Sequence, residues 1–158
     1  MTLNDLLENF EFIDNNFYWK KPRSGIAVGQ KAGCLDNTGY IRIRFNKKKY
    51  LLHRLVYLYH HGFMPKFIDH IDGNPLNNDI KNLREATFTQ NRHNLKKQKN
   101  NTSGYKNVVW SISQKKWRVT LLANGKFMSF GGYDDIELAG LVAQEARNKY
   151  HGEFARHD

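Results

Sequence analysis

Asp69 and His70 stand side by side at the head of the run DHIDGNPLNND, Asp69 to Asp79. A carboxylate beside an imidazole suits phosphodiester hydrolysis, for which an enzyme must supply on the order of 20 kcal/mol or more. The carboxylate is a hard oxygen donor of the kind Mg²⁺ prefers, and that ion keeps most of its positions for water and phosphate. The imidazole, with an unperturbed pKa of about 6.5, accepts a proton from water at neutral pH. Neighbouring side chains on an extended strand point to opposite faces, so the two converge on one phosphate only at a strand end or a twist. A calcium loop of the helix–loop–helix kind needs acids at the first, third and fifth places before its glycine. Counting back from Gly73, those places hold Ile68, His70 and Asp72, which excludes it. A plain polar turn is not excluded, because Asp72-Gly73-Asn74-Pro75 is good turn chemistry by itself.

The elements around this run read from their periods. FYWKK is a strand, followed by a glycine-rich turn region through GIAVGQKAG. In GYIRIRFNKKKYLLH, Ile41, Ile43 and Phe45 alternate with Arg42, Arg44 and Asn46. That period of two predicts a half-buried strand whose outer face is cationic, with a hairpin turn at NKKK. Arg42, Arg44 and Lys48 are candidate DNA contacts, against the bland alternative of a solvated charged face. LLHRLVYLYHHG switches to helical spacing, with Leu52, Leu55, Val56 and Tyr59 on one face and Gly62 as a stop. His53 and His60 lie seven apart in it and do not make the four-residue pair of many metal sites; His53 is a packing residue or a support for the site. NLREA is a short strand, and Thr87 with Gln90 spells a capping box for a helix from about Phe88 to Lys97.

KQKNNTSG lacks apolar periodicity and marks a linker. Beyond it YKNVVW, KWRVTLLA and KFMSFGGY are three strands, turning at Ser113–Gln114 and at Asn124–Gly125, where Asn-Gly is a strong hairpin signal. DDIELAGLVAQEARNKYHG is an amphipathic helix with Ile136, Ala139, Val142, Ala143 and Ala146 in one stripe.

Composition bounds the partners. The 158 residues are 40% apolar and 13% aromatic, enough to fold as one or two domains, and no run is long and apolar enough to span a membrane. The acidic N-terminus is not expected to be a signal peptide, so the cytoplasm is the expected location. The single cysteine, Cys34, excludes an intrachain disulfide or a Cys-x-x-Cys zinc site and is expected to be a small packed residue. Twenty-five bases against fifteen acids give +10, which suits a polyanion; without a basic amphipathic helix, nucleic acid is favoured over a membrane surface.

DHIDGNPLNNDIKNLREATFTQN resembles the His-Asn-His (HNH) endonuclease motif, in the branch found in phage and intron homing endonucleases. His70 stands at the first histidine, Asn82 in KNLR at the central asparagine, and Asn91 in TQNRHN at the final position. HRLVY and GYIRIRFNKKKY are also similar to that branch, so the resemblance covers about residues 17 to 97. It implies a ββα-metal core, with Asp69 and Asn91 as metal ligands, His70 as general base and Asn82 bracing the loop. It further implies one divalent metal (Mg²⁺, with Mn²⁺ able to substitute, and no zinc) and products with 3′-hydroxyl and 5′-phosphate ends. His93 is an alternative ligand to Asn91, but the two lie about 200° apart on a helix and cannot both face the metal.

The segment from Ser103 to Ala155 resembles the apetala/ethylene-response-factor DNA-binding domain, through GYKNV, KWRV, FGGYDDIELA and the helix ending in YHGEFA. That family's sheet lies in the major groove with its helix behind, a known geometry for β-sheet readers. Alternation turns Trp117, Val119 and Leu121 to the helix and leaves Arg118, Thr120 and Leu122 for DNA. Lys106, Val109, Ser111, Phe127 and Ser129 of the neighbouring strands join them. The family's sheet is rich in arginine and this one is not, so positioning and thymine-methyl contacts are expected rather than guanine reading. A small oligomerisation unit is the bland alternative.

The expected fold is therefore α+β: N-terminal strands and a helix leading to the ββα core, then a three-stranded antiparallel sheet packed on one helix. The expected domains are an endonuclease domain over 1–97 with its core at 50–97, a linker over 98–104, and a DNA-binding domain over 105–158. The expected function is metal-dependent cleavage of double-stranded DNA of the homing type. A regulator or architectural protein that binds DNA without cutting is the alternative.

Overall fold

Thr2 and Asp5 start the first helix. The Thr2 hydroxyl accepts from the Asp5 amide at 3.1 Å and the Asp5 carboxylate accepts from the Thr2 amide at 2.8 Å. This reciprocal cap opens α1 (Leu3–Asn9), an element too short for the periodic reading to detect. The structure, a computed structural model, describes residues 1–158. Its packing separates two compact units, Met1–Thr87 and Phe88–Asp158.

In the first unit β1 (Phe10–Ile13) and β2 (Asn16–Trp19) form a hairpin that turns at Asp14 and Asn15, both at positive φ. β3 (Cys34–Leu35), β4 (Ile41–Phe45) and β5 (Lys48–Leu51) make an antiparallel sheet in that order. Ile43 and Phe45 are buried while Arg44 is exposed, as alternation requires. The β4–β5 turn falls at Asn46 and Lys47, with φ of 47° and 61°, a double-positive turn whose twist matches the strands it joins. Cys34 is exposed rather than packed, because β3 is a two-residue edge strand with both residues facing solvent.

α2 (Leu52–His61) buries Leu52, Leu55, Val56 and Leu58 against Leu6, Phe10, Phe17, Trp19, Ile43 and Phe45. Burying each such side chain contributes about 1.5–3 kcal/mol. Gly62, at φ 75°, closes α2 by donating its amide to the Leu58 carbonyl at 2.9 Å, a left-handed cap for which glycine carries no steric penalty. The chain then enters β6 (Phe67–His70), a long loop, a 3₁₀ turn at Ile80–Asn82, and β7 (Leu83–Ala86), which pairs antiparallel with β6.

The second unit opens with α3 (Phe88–His93), which ends before the expected Lys97. The Lys106 ammonium explains the early stop: it donates to the carbonyls of His93 (3.1 Å) and Leu95, which the amides of a longer helix would otherwise fill. β8 (Val108–Ser111), β9 (Lys116–Ala123) and β10 (Lys126–Tyr133) form an antiparallel sheet in the order β10-β9-β8. α4 (Ile136–His151) starts at Asp135, whose carboxylate accepts the Glu137 amide at 2.7 Å. Ala139 and Ala143 pack on Val108 and Val119, and Ala146 on Leu121 and Ala123. These small side chains let α4 lie close to the sheet; a Cβ on Gly140 would sit 2.4 Å from the Tyr105 ring.

The stretch expected as a linker is held by the second unit's own bonds. The Ser103 hydroxyl donates to the Val108 carbonyl at 2.8 Å, the Lys97 ammonium to the Gly104 carbonyl at 2.6 Å, and the Lys97 amide to the Asp158 carbonyl at 2.9 Å. The whole is α+β, the class expected. No helix is long and apolar enough to cross a membrane.

Candidate active site

The β6–β7 register sets Asp69 opposite Arg84 and His70 opposite Leu83. Arg84 donates from both Nε (2.9 Å) and Nη2 (2.8 Å) to the same oxygen, Oδ2, of Asp69. Asp69 is only 4% exposed, and a carboxylate at that depth needs a cation to offset its lost hydration. Arg84 is a site residue that the sequence reading missed; counting the hairpin register would have found it.

His70 is buried among side chains from α2 and from two loops. His53 of α2 meets its ring edge-on at 4.9 Å, and Tyr40 lies 6.2 Å away. Nε2 lies 3.3 Å from Oδ1 of Asn78, whose own amide nitrogen donates to the Leu76 carbonyl and so turns Oδ1 toward the ring. An amide oxygen can only accept, so the proton sits on Nε2 and the basic lone pair on Nδ1. Burial lowers the His70 pKa, against the opposing pull of Asn78, Asp72 and Asp69. His53 is held down to about 3 by burial first, then by His70 and Arg54. Both rings are therefore neutral at neutral pH. Asn78 gives no signal in sequence, being one asparagine among several; His53 reads there as a packing residue or a support, and its place against His70 depends on how α2 packs.

Asn82 ties the loop together. Its Oδ1 accepts from the Asp72 amide at 3.0 Å, while Nδ2 donates to Asp72 Oδ1 at 2.9 Å and to the Asn77 carbonyl at 2.8 Å. Asp72 in turn accepts from the Asn74 amide at 2.7 Å and from Asn77 Nδ2 at 2.7 Å. The Gly73 amide closes onto the His70 carbonyl at 2.8 Å. One hairpin thus carries Asp69, His70 and Asn82. Asn91 lies half-buried on α3, in the second unit. His93 stacks flat on His151, with ring centroids 3.5 Å apart, and its Nε2 is buried.

The hairpin offers a hard divalent cation one donor of the type it takes, the Asp69 carboxylate, and no three His, Cys, Asp or Glu side chains gather into a closed cage. Mg²⁺ takes one or two protein oxygens and fills the rest with water and phosphate, which such a set allows.

The candidate DNA contacts divide. Arg44 and Lys48 are exposed on β4 and β5, whereas the Arg42 guanidinium pairs with Asp36. On the second unit's sheet, Val109 faces Arg118, Leu122 faces Phe127 and Thr120 faces Ser129 across the strands, so these six share the side away from buried Val119 and Leu121. Ser111, opposite Lys116, is half-buried on the same side. Lys106 is not on that face. Its ammonium donates to three carbonyls, those of His93, Leu95 and Arg156, and burial with the nearby Arg147 and Arg156 lowers its pKa to about 8.

Residues 50–93 match a family model described as HNH endonuclease. The chain is 44% identical over 97 residues to Protein 3.8 of Escherichia phage T7, covering 60% of this chain and 79% of that protein. It is 33% identical over 124 residues to a protein of Acanthamoeba polyphaga mimivirus named as an uncharacterized HNH endonuclease, L560, covering 77% of this chain and 63% of that one. Over 74 residues it is 44% identical to the SPbeta prophage-derived protein YosQ of Bacillus subtilis (strain 168), named as a candidate HNH homing endonuclease; this covers 46% of this chain and 41% of YosQ. The chain thus spans less than two thirds of the latter two proteins. No solved structure matches.

Proposed function

The chain belongs to the HNH endonuclease family, and on that premise we propose that it cuts double-stranded DNA by hydrolysis with one divalent cation. The observation that carries this is the His70 ring. It is buried, neutral and fixed by Asn78, and it stands beside the Asp69 carboxylate at the mouth of a braced loop. A base with those properties takes a proton from water at neutral pH.

In the proposed step a water oxygen forms a bond to phosphorus as the P–O3′ bond breaks. The attacking water's proton passes to His70 Nδ1, whose tautomer Asn78 sets, and the departing O3′ takes a proton from solvent water, which leaves 3′-hydroxyl and 5′-phosphate ends. His53 and Tyr40 hold the ring in place and keep bulk water from its flank. Asn82 holds the loop that follows His70, so that the ring does not swing. Asp69 supplies the hairpin's ligand, and the resemblance implies Asn91 as the second. A bound divalent cation supplies neutralisation of the charge that builds on the phosphate and the leaving oxygen.

Arg44 and Lys48 serve phosphate contact, and the second unit serves as a DNA reader of the ethylene-response-factor type. Support comes from its three-stranded sheet, backed by one helix, with Arg118, Thr120, Leu122 and Phe127 turned outward. The name of YosQ supports a homing role.

One observation favours the non-cleaving alternative: Arg84 already balances the Asp69 charge with two hydrogen bonds to Oδ2. Incubation with DNA from the chain's own genomic neighbourhood, with Mg²⁺ or Mn²⁺ and then EDTA, separates the two. Cleavage that appears with metal, stops with EDTA and leaves ligatable 5′-phosphate ends is the expected result. Tight binding without metal-dependent cutting of that DNA refutes the nuclease.

A further inference from the structure

From Ala86 to Tyr133 the chain carries nine lysines and arginines and no aspartate or glutamate. That stretch holds +9 of the +10 net charge in under a third of the residues. The second unit folds it around a groove of about 540 Å³, and no acidic side chain lines it. One wall is the last turn of α3, with Arg92, and the irregular segment after it, with Lys96 and Lys97; the floor is the outward face of the sheet, with Val109, Leu122 and Phe127. Arg92 and Lys96 are exposed, and Phe127 is 82% exposed. The wall is built rather than loose: the Lys106 ammonium fixes the carbonyls at its start, and Lys97 is bonded through both its amide and its ammonium.

A cationic wall beside an apolar floor is complementary to a sugar–phosphate backbone, which is anionic at its phosphates and apolar along the C–H faces of its deoxyriboses. We propose that this groove seats one backbone of duplex DNA. Arg92 and Lys96 take phosphates, and Phe127 and Leu122 pack on deoxyribose and thymine methyl groups. The segment that reads in sequence as a passive tether is then half of the DNA surface. This rests on the DNA-directed reading above, and deepens it by placing the wall residues, to which neither motif resemblance gives a role, in contact with the strand.

The test uses the full chain in EDTA, so that nothing is cut, and a fluorescein-labelled random-sequence duplex titrated at several salt concentrations. The double variant Arg92→Gln/Lys96→Gln is expected to bind more weakly and to lower the slope of log affinity against log salt by about 2, since each phosphate contact contributes about 0.9. Phe127→Ala is expected to weaken binding at every salt concentration with the slope unchanged. Lys149→Gln, on α4 and exposed, serves as control and is expected to match the unaltered protein. The proposal is overturned if the double variant keeps the original slope, if Lys149→Gln loses as much, or if duplex RNA competes better than duplex DNA. Failure of the unaltered chain to bind DNA at all overturns the nuclease reading with it. An unchanged slope in a chain that still binds and cuts overturns the groove alone.

Discussion

Replacing Asn82 by aspartate tests how the loop is held. The exchange is nearly isosteric and keeps Oδ1, which accepts the Asp72 amide at 3.0 Å. It turns the donor Nδ2 into an oxygen 2.9 Å from Asp72 Oδ1 and 2.8 Å from the Asn77 carbonyl. Two hydrogen bonds are lost, one of them to a charged acceptor, for about 2–3 kcal/mol together. Two like charges at this separation repel by about 1 kcal/mol when water screens them, and about 6 at an effective dielectric of 20. Asp72 is exposed, so the screened limit is nearer, and side-chain movement relieves part of the clash. The expected cost is about 3–4 kcal/mol for Asn82→Asp and about the same for Asn82→Ala, which meets no repulsion but also loses the bond from the Asp72 amide. Urea unfolding followed by far-UV circular dichroism gives the two costs, and amide exchange at Asp72 shows whether the loss is confined to the loop. Acidification should restore part of the aspartate variant's stability, because one protonated carboxyl donates again across the gap. No recovery of Asn82→Asp in acid, or an equal recovery of Asn82→Ala, refutes the account of Asn82 as a donor to Asp72.

His70→Ala should lower cleavage by about 10²-fold or more while duplex affinity stays near that of the unaltered chain, measured by plasmid nicking and anisotropy; parallel loss of both makes His70 structural. Acid should loosen the first unit through His53. Between its unfolded value of about 6.5 and the folded value of about 3, the unfolded chain binds a proton the folded one refuses, so stability falls by up to about 1.4 kcal/mol per pH unit below about pH 6.5. His53→Phe should flatten that slope in urea titrations, and a slope that persists places the titration elsewhere. Gly140→Ala should destabilise the second unit by about 1–3 kcal/mol, because its Cβ would meet the Tyr105 ring at 2.4 Å. Tyr105→Ala in the same chain should recover part of that loss, and additive costs in the double variant would mean the two do not touch.

Local physics carried much of the fold into the sequence. Alternation in β4 and β9, the turns at Asn46–Lys47 and Asn124–Gly125, and the stop at Gly62 each depend on a few neighbouring residues, and each is found where its pattern predicts. α1 escaped because seven residues display too few turns for a period, although its capping box was present in the text. α3 was drawn too long because what ends it is a lysine thirteen residues away. The same lysine was assigned to DNA because alternation shows that a side chain points outward, not what it reaches.

The sequence by itself determined which residue types could do chemistry: Asp69 beside His70, the asparagine at 82, and a strongly cationic chain with one cysteine. Only the tertiary structure decided their condition. Arg84 comes opposite Asp69 through a strand register, and His53 and Tyr40 reach His70 from elements far away in the chain. Arg42 is ion-paired with Asp36, while Arg92 and Lys96 stand along the sheet face. Spacing and residue type are local properties of a sequence. Burial, protonation state and the partner of a charge belong to the packed chain, because each is set by what long-range folding brings within a few ångströms.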